Sequence, residues 1–140
     1  MAFILCEDDD YVEAAQFYAS KLNIPSDTII AIGLYKELDV AGYCLFREDS
    51  TMPYYMIGLD VGCEDEDGED PISVLAHEMV HVKQYVTGEL VDKGKHCLWK
   101  GKKFDELEAD SEQYFFSPWE VEAFGMQVGL YRLYYRSIEQ

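Results

Sequence analysis

The sequence predicts one α+β domain, in which a small, mostly antiparallel three-stranded sheet packs on a strongly apolar helix and on further helices towards the C-terminus. Three observations predict it. Three β-rich runs, Thr28–Tyr35, Ala41–Arg47 and Tyr54–Asp60, follow one another across short polar connections. A helical pattern then opens at Pro71 and continues to about Thr87. The chain of 140 residues, 49% of them hydrophobic, suffices for one core and is too short for two.

A first helix is expected from Tyr11 to about Leu22, with Asp10 as N-cap, an apolar stripe of Val12, Ala15, Ala19 and Leu22, and Pro25 ending it. The three strands come next, then an acidic run, GCEDEDGED (Gly62–Asp70). It is not an EF-hand loop, because Cys63 and Val74 stand where an oxygen ligand and a glutamate are required. The Pro71 helix closes at Gly88. Residues 89–104 read as a short β-hairpin or an irregular excursion, with Gly94 and Gly101 as turn points. A short helix is expected over Asp105–Gln113. The last helix opens at Ser117-Pro118 and carries Val121, Phe124, Val128, Leu130, Tyr131 and Tyr134. No repeat or interdomain linker interrupts the chain, so residues 1–140 form a single domain.

The formal net charge is −17. A surface so acidic repels nucleic acid and anionic membrane, and neither is expected as a partner. The charge is uneven: residues 1–70 hold 17 acids against Lys21, Lys36 and Arg47. Residues 83–103 hold six lysines against Glu89 and Asp92, which reads as solvated loop surface. Cys6, Cys44, Cys63 and Cys97 are scattered without a paired spacing, as reduced structural thiols are. The opening MAFILCEDDD has too short an apolar run for a secretory signal, and no stretch approaches the roughly 20 apolar residues that span a bilayer. A cytoplasmic protein is expected.

The chemistry is carried by LAHEMVHVKQY (Leu75–Tyr85). His77 and His81 stand one helical turn apart and project from the same face. Two imidazoles so placed can bind one Zn²⁺ when a third protein ligand completes the site. Glu78, displaced around the helix, can reach a water in that site without ligating the metal, as a general base must. The apolar neighbours Val74, Leu75, Val80 and Val82 point to a helix packed into the core, which would hold the ligands rigidly. The pattern HExxH alone is moderately specific, since two core histidines could produce it.

The candidates for third ligand are His96, Glu106, Glu120 and Glu122. A continuation HExxHxxGxxH is excluded, because Gln84 and Thr87 occupy its glycine and last histidine positions. Glu106-Leu-Glu-Ala109-Asp110 reads ExxAD, Glu120-Val-Glu-Ala123 reads ExxA, and Ser117-x-x-Glu120 also fits a helix-capping box.

HEMVHVKQYVTGEL, a Trp99-Lys-Gly101 element and YFFSPWEVEAFG (Tyr114–Gly125) together resemble small zinc metallopeptidases of phage and bacterial genomes that carry PWExEA. These are similar to minimal gluzincins of zincin-like fold. The resemblance covers about residues 71–126. It implies a glutamate ligand after HExxH, pointing to Glu120, with one Zn²⁺ per chain held by His77, His81 and Glu120. Phe124 stands where many gluzincins carry an aspartate that orients a ligating histidine. SprT-like metalloproteases use a downstream histidine, a role for His96, but their G-H-G setting is absent.

The resemblance implies a metalloendopeptidase acting on a peptide or protein. Glu78 would take a proton from the attacking water and pass it to the leaving amine. A tyrosine or His96 would assist at the carbonyl oxygen. The strand bordering the cleft, expected to be Tyr54–Asp60, would bind substrate by β-addition. A zincin-fold module that binds zinc and a partner without turnover is the alternative function.

Overall fold

The computed structural model describes residues 1–48, 51–62, 69–108 and 111–139. Its order is β1 (Phe3–Leu5), α1 (Asp9–Lys21), β2 (Ile29–Tyr35), β3 (Gly42–Arg47), β4 (Tyr54–Asp60), α2 (Pro71–Val86), β5 (Leu90–Asp92), β6 (His96–Trp99), β7 (Lys102–Asp105), α3 (Glu112–Phe115) and α4 (Pro118–Ile138). It is a mixed α+β architecture with two small sheets.

The first sheet has the order β1-β2-β4-β3. β1 pairs with β2 and β2 with β4 in parallel, whereas β3 pairs with β4 antiparallel. The expected three strands exist close to their expected bounds, but the sheet is four-stranded and mixed. β3 crosses to the outer edge and β4 inserts between it and β2, so β2 and β4 run the same way. β1 was missed because Phe3-Ile-Leu5 is too short to show a period of two.

α2 lies across this sheet. Val74, Leu75, Ala76, Met79, Val80 and Val82 from the helix meet Ile30, Ile32, Ile57 and Leu59 from β2 and β4. α1 adds Ala14, Ala15, Tyr18 and Ala19, and the Tyr18 hydroxyl donates to the Ile72 carbonyl at 3.0 Å. Burying such an aliphatic side chain stabilises by roughly 1.5–3 kcal/mol, so the core fixes α2 firmly against the sheet. Gly42 permits the close approach of β3: a Cβ there would lie 2.8 Å from Val74 Cγ1 and 3.0 Å from the Gly58 carbonyl.

The caps locate the helix ends. α1 starts earlier than expected, because Asp8 rather than Asp10 is the N-cap and accepts from the Asp10 N–H at 2.9 Å. It ends before Pro25 in a Schellman turn: Asn23 (φ 56°) donates to Ser20 O, and Ile24 N–H to Ala19 O. α2 has Pro71 at its first position, Asp70 accepting from the Ile72 N–H, and Gly88 (φ 76°) just beyond its end.

Residues 90–105 form a second, antiparallel sheet, β5-β6-β7. Lys100 and Gly101 both take positive φ, matching a tight hairpin turn, and Gly94 (φ 88°) serves the preceding one. The short helix expected over Asp105–Gln113 is corrected to Glu112–Phe115. Asp105 is the last residue of β7, paired with His96, and the helix begins only after Ser111, whose hydroxyl accepts from the Tyr114 N–H. Among the described residues no helix is long and apolar enough to cross a membrane.

Candidate metal centre

The pitch of α2 stacks His77 over His81 with ring centroids 4.9 Å apart. α4 packs alongside and brings Glu120 from its first turn to both. One carboxylate oxygen is 3.0 Å from His77 Nε2 and the other 3.1 Å from His81 Nε2, while the two Nε2 atoms are 3.2 Å apart. All three side chains are buried, and as a group they could hold a metal ion. Glu120 is not the closing half of a capping box: the Ser117 hydroxyl donates to the Tyr114 carbonyl, and its side chain caps nothing in α4.

The outer nitrogens of the two rings decide what the inner ones present. His77 Nδ1 lies 3.1 Å from Gln127 Oε1, and His81 Nδ1 lies 2.8 Å from Gln84 Oε1. Both amides are themselves oriented. Gln84 Nε2 donates to the Trp119 carbonyl (2.9 Å) and to Glu122 (3.2 Å). Gln127 Nε2 donates to Glu69 (2.9 Å) and Ser73 Oγ (3.0 Å). Those amide nitrogens face a carbonyl or a carboxylate, so the amide oxygens must face the imidazoles. Each Nδ1 therefore carries the hydrogen, and in a neutral ring Nε2 is a bare acceptor. Two acceptor nitrogens and a carboxylate then converge on one point, an arrangement that repels itself unless a cation or shared protons occupy it.

The electrostatics agree. Burial works to raise the Glu120 carboxyl, but hydrogen bonds from His77 and His81 outweigh it and hold the pKa at about 2. Burial works to lower His81, yet the Glu120 hydrogen bond and the Glu78 charge bring it above the ordinary histidine value.

Of the other sequence candidates, none joins this group. Glu122 accepts from Lys83 Nζ at 3.0 Å and from Gln84, so it steadies the amide behind His81. His96 starts β6 opposite Asp105, and Glu106 is exposed beyond β7. Ala109 and Asp110 of the ExxAD reading lie outside the described residues, as does most of the acidic run, 63–68, with Cys63. Cys6, Cys44 and Cys97 are free thiols. Phe124, at the position where many gluzincins would place an orienting aspartate, packs edge-on against the His77 ring at 4.4 Å. The orienting groups are instead Gln84 and Gln127, which sequence reasoning missed. Their only signal was positional: Gln84 stands one turn beyond His81 on the same face of α2, and Gln127 stands two turns beyond Glu120 on the same face of α4.

Glu78 is buried beside the group and lines cavities on both of its sides, of about 240 and 210 Å³. Burial pushes its carboxyl up, and His81 and His77 pull it part of the way back. Tyr114 also lines both cavities, whereas Tyr43 and Tyr85 line one of the two. The strand along this cleft is β3: Gly42, Tyr43 and Cys44 contribute to its lining. Tyr54–Asp60 was expected there, but β4 is bonded to strands on both sides and has no open edge, whereas β3 is the edge strand.

Compared with family models, with curated proteins and with solved structures, the chain matches none.

Proposed function

We propose that the chain is a zinc-dependent metallopeptidase of zincin-like fold, with one Zn²⁺ held by His77, His81 and Glu120 and with Glu78 as general base. The observation that carries this reading is the convergence of two Nδ1-tethered imidazoles and a buried glutamate. Two histidine nitrogens and one carboxylate oxygen are a donor set suited to Zn²⁺, and three protein ligands are the number that catalytic zinc sites use. Bound there, zinc would supply Lewis acidity and a water with its pKa lowered to about 7.

The chain's own residues divide the remaining work. Glu78 lines the cleft without joining the ligand group, a position suited to taking a proton from water and returning it to a leaving amine. Tyr114, which lines both cavities, is the candidate donor to the carbonyl oxygen. Among the described residues β3 is an edge strand of its sheet, and its outer edge offers backbone groups for an extended peptide to pair with. A glutamate at position 78 also argues against a zinc module without turnover, which has no use for a base there.

The test is hydrolysis of a mixed peptide library by zinc-loaded protein, with Glu78→Gln and chelator-treated controls. Cleavage lost in both controls, with zinc retained by Glu78→Gln, supports the reading. Full cleavage by Glu78→Gln removes Glu78 from the base role.

A further inference from the structure

Resting on the peptidase reading, we propose that the cavity beyond the metal cleft is a specificity pocket for a cationic side chain, arginine or lysine, of an extended peptide lying along β3. Period-two alternation puts Gly42, Cys44 and Phe46 on one face of β3, and Glu48 lies just beyond the strand end. These residues trace one continuous groove. Gly42 lines the cavities on both sides of Glu78, and Cys44 links the metal cleft to a larger cavity of about 470 Å³. Tyr85 and Leu90 are shared by the same two cavities, so the larger one opens directly from the metal site.

The walls of this cavity define its occupant. Phe46 stacks on Tyr55 (4.8 Å, 25° between planes), and Tyr55 lies nearly parallel to Tyr85 at 6.3 Å. The stacked rings form an apolar wall of the kind that packs against the alkyl stem of an arginine or lysine. The charged residues lining the cavity are Glu48 and Asp92. Neither is in an ion pair with a described residue, and the Gly94 N–H holds one Asp92 oxygen at 2.8 Å. Lys93 and Lys95 of the neighbouring turn are exposed and do not line it. An acidic rim over an aromatic wall complements a cation, and no basic group in the lining competes for it. From Cys44 to Phe46 the strand advances about 7 Å at ~3.3 Å per residue, and Glu48 lies just beyond the strand end, so the selected side chain stands a few residues from the bond beside Glu78.

The test uses zinc-loaded Glu78→Gln, which removes the base and leaves binding to be read by fluorescence polarisation. The probes are three labelled octapeptides differing at one position, with arginine, norleucine or glutamate there, scanned through the register. The proposal predicts at least tenfold tighter binding of the arginine peptide at one register. In Glu48→Lys/Asp92→Lys that preference falls below twofold or reverses, with zinc content and thermal midpoint unchanged. Equal binding of the three peptides at every register, or an arginine preference that survives the double substitution, overturns the pocket and leaves the peptidase reading standing. Loss of zinc binding in the parent protein would instead strike the peptidase reading.

Discussion

Replacing Gln127 by leucine removes the acceptor that fixes His77 while keeping a side chain of similar size. Three contacts go: His77 Nδ1 at 3.1 Å, Glu69 at 2.9 Å and Ser73 at 3.0 Å. Only the first bears on the metal. Loss of such an outer partner weakens metal binding by 10–100-fold, or about 1.4–2.8 kcal/mol. His81 keeps its own tether to Gln84, so the loss is expected near the tenfold end. The assay is competition for zinc against a chromophoric chelator, together with the nitrogen chemical shifts of the histidine side chains in the zinc-loaded protein. Wild type is expected to show both rings protonated at Nδ1 and free of hydrogen at Nε2. Gln127→Glu combined with Glu69→Gln restores an acceptor without opposing two carboxylates, and should recover most of the affinity, which a purely steric defect would not. Zinc affinity of Gln127→Leu within twofold of wild type, or an Nε2-protonated His77 in the wild type, would refute the argument that the glutamines set the site.

Four further outcomes are expected. His96→Ala and Glu106→Ala each retain about one zinc per chain by elemental analysis, because neither residue reaches the metal group. Tyr114→Phe keeps zinc and KM and lowers kcat by about 10²-fold in steady-state peptide hydrolysis, the usual effect of removing one donor at a developing oxyanion. Asp70→Ala lowers the thermal midpoint by an amount equivalent to about 1–2 kcal/mol, since it removes the α2 cap and the acceptor of the Tyr131 hydroxyl at 2.6 Å. For the metal-free protein the pH dependence follows from Glu120 and His81. The lowered Glu120 pKa gives stability that is present above 4.5 and lost as pH falls towards about 2. The raised His81 pKa gives stability that is present below 6.5 and lost as pH rises through its folded value. Thermal melts without metal should therefore show this pair's contribution greatest between those limits, and added zinc should shift the optimum upward.

The sequence carried the site better than the sheet. HExxH places three residues by the pitch of one helix, and that local geometry survives any surrounding topology. Glu120 needed the long-range packing of α4 on α2, which periodicity does not reveal; its PWExEA context supplied the pointer. The roles of Gln84 and Gln127 were not legible, because an amide carries no sequence signature of its own and each depends on how α4 packs on α2. The strand runs of β2, β3 and β4 were legible from their β-branched and aromatic residues, but their order was not. Local pattern says nothing about which strand crosses to an edge, so Tyr54–Asp60 was expected at the cleft where Gly42–Arg47 runs. The helix expected over Asp105–Gln113 failed because strand pairing with His96 overrode a weak local preference.

The central claim is tested most directly by elemental analysis of zinc per chain in wild type, His81→Ala and Glu120→Ala, purified identically. About one zinc in the wild type, falling below a tenth in both variants while their circular dichroism spectra remain folded, is the predicted result. A wild-type chain that takes up no zinc even after reconstitution, or a folded Glu120→Ala that holds zinc as tightly as wild type, would contradict it.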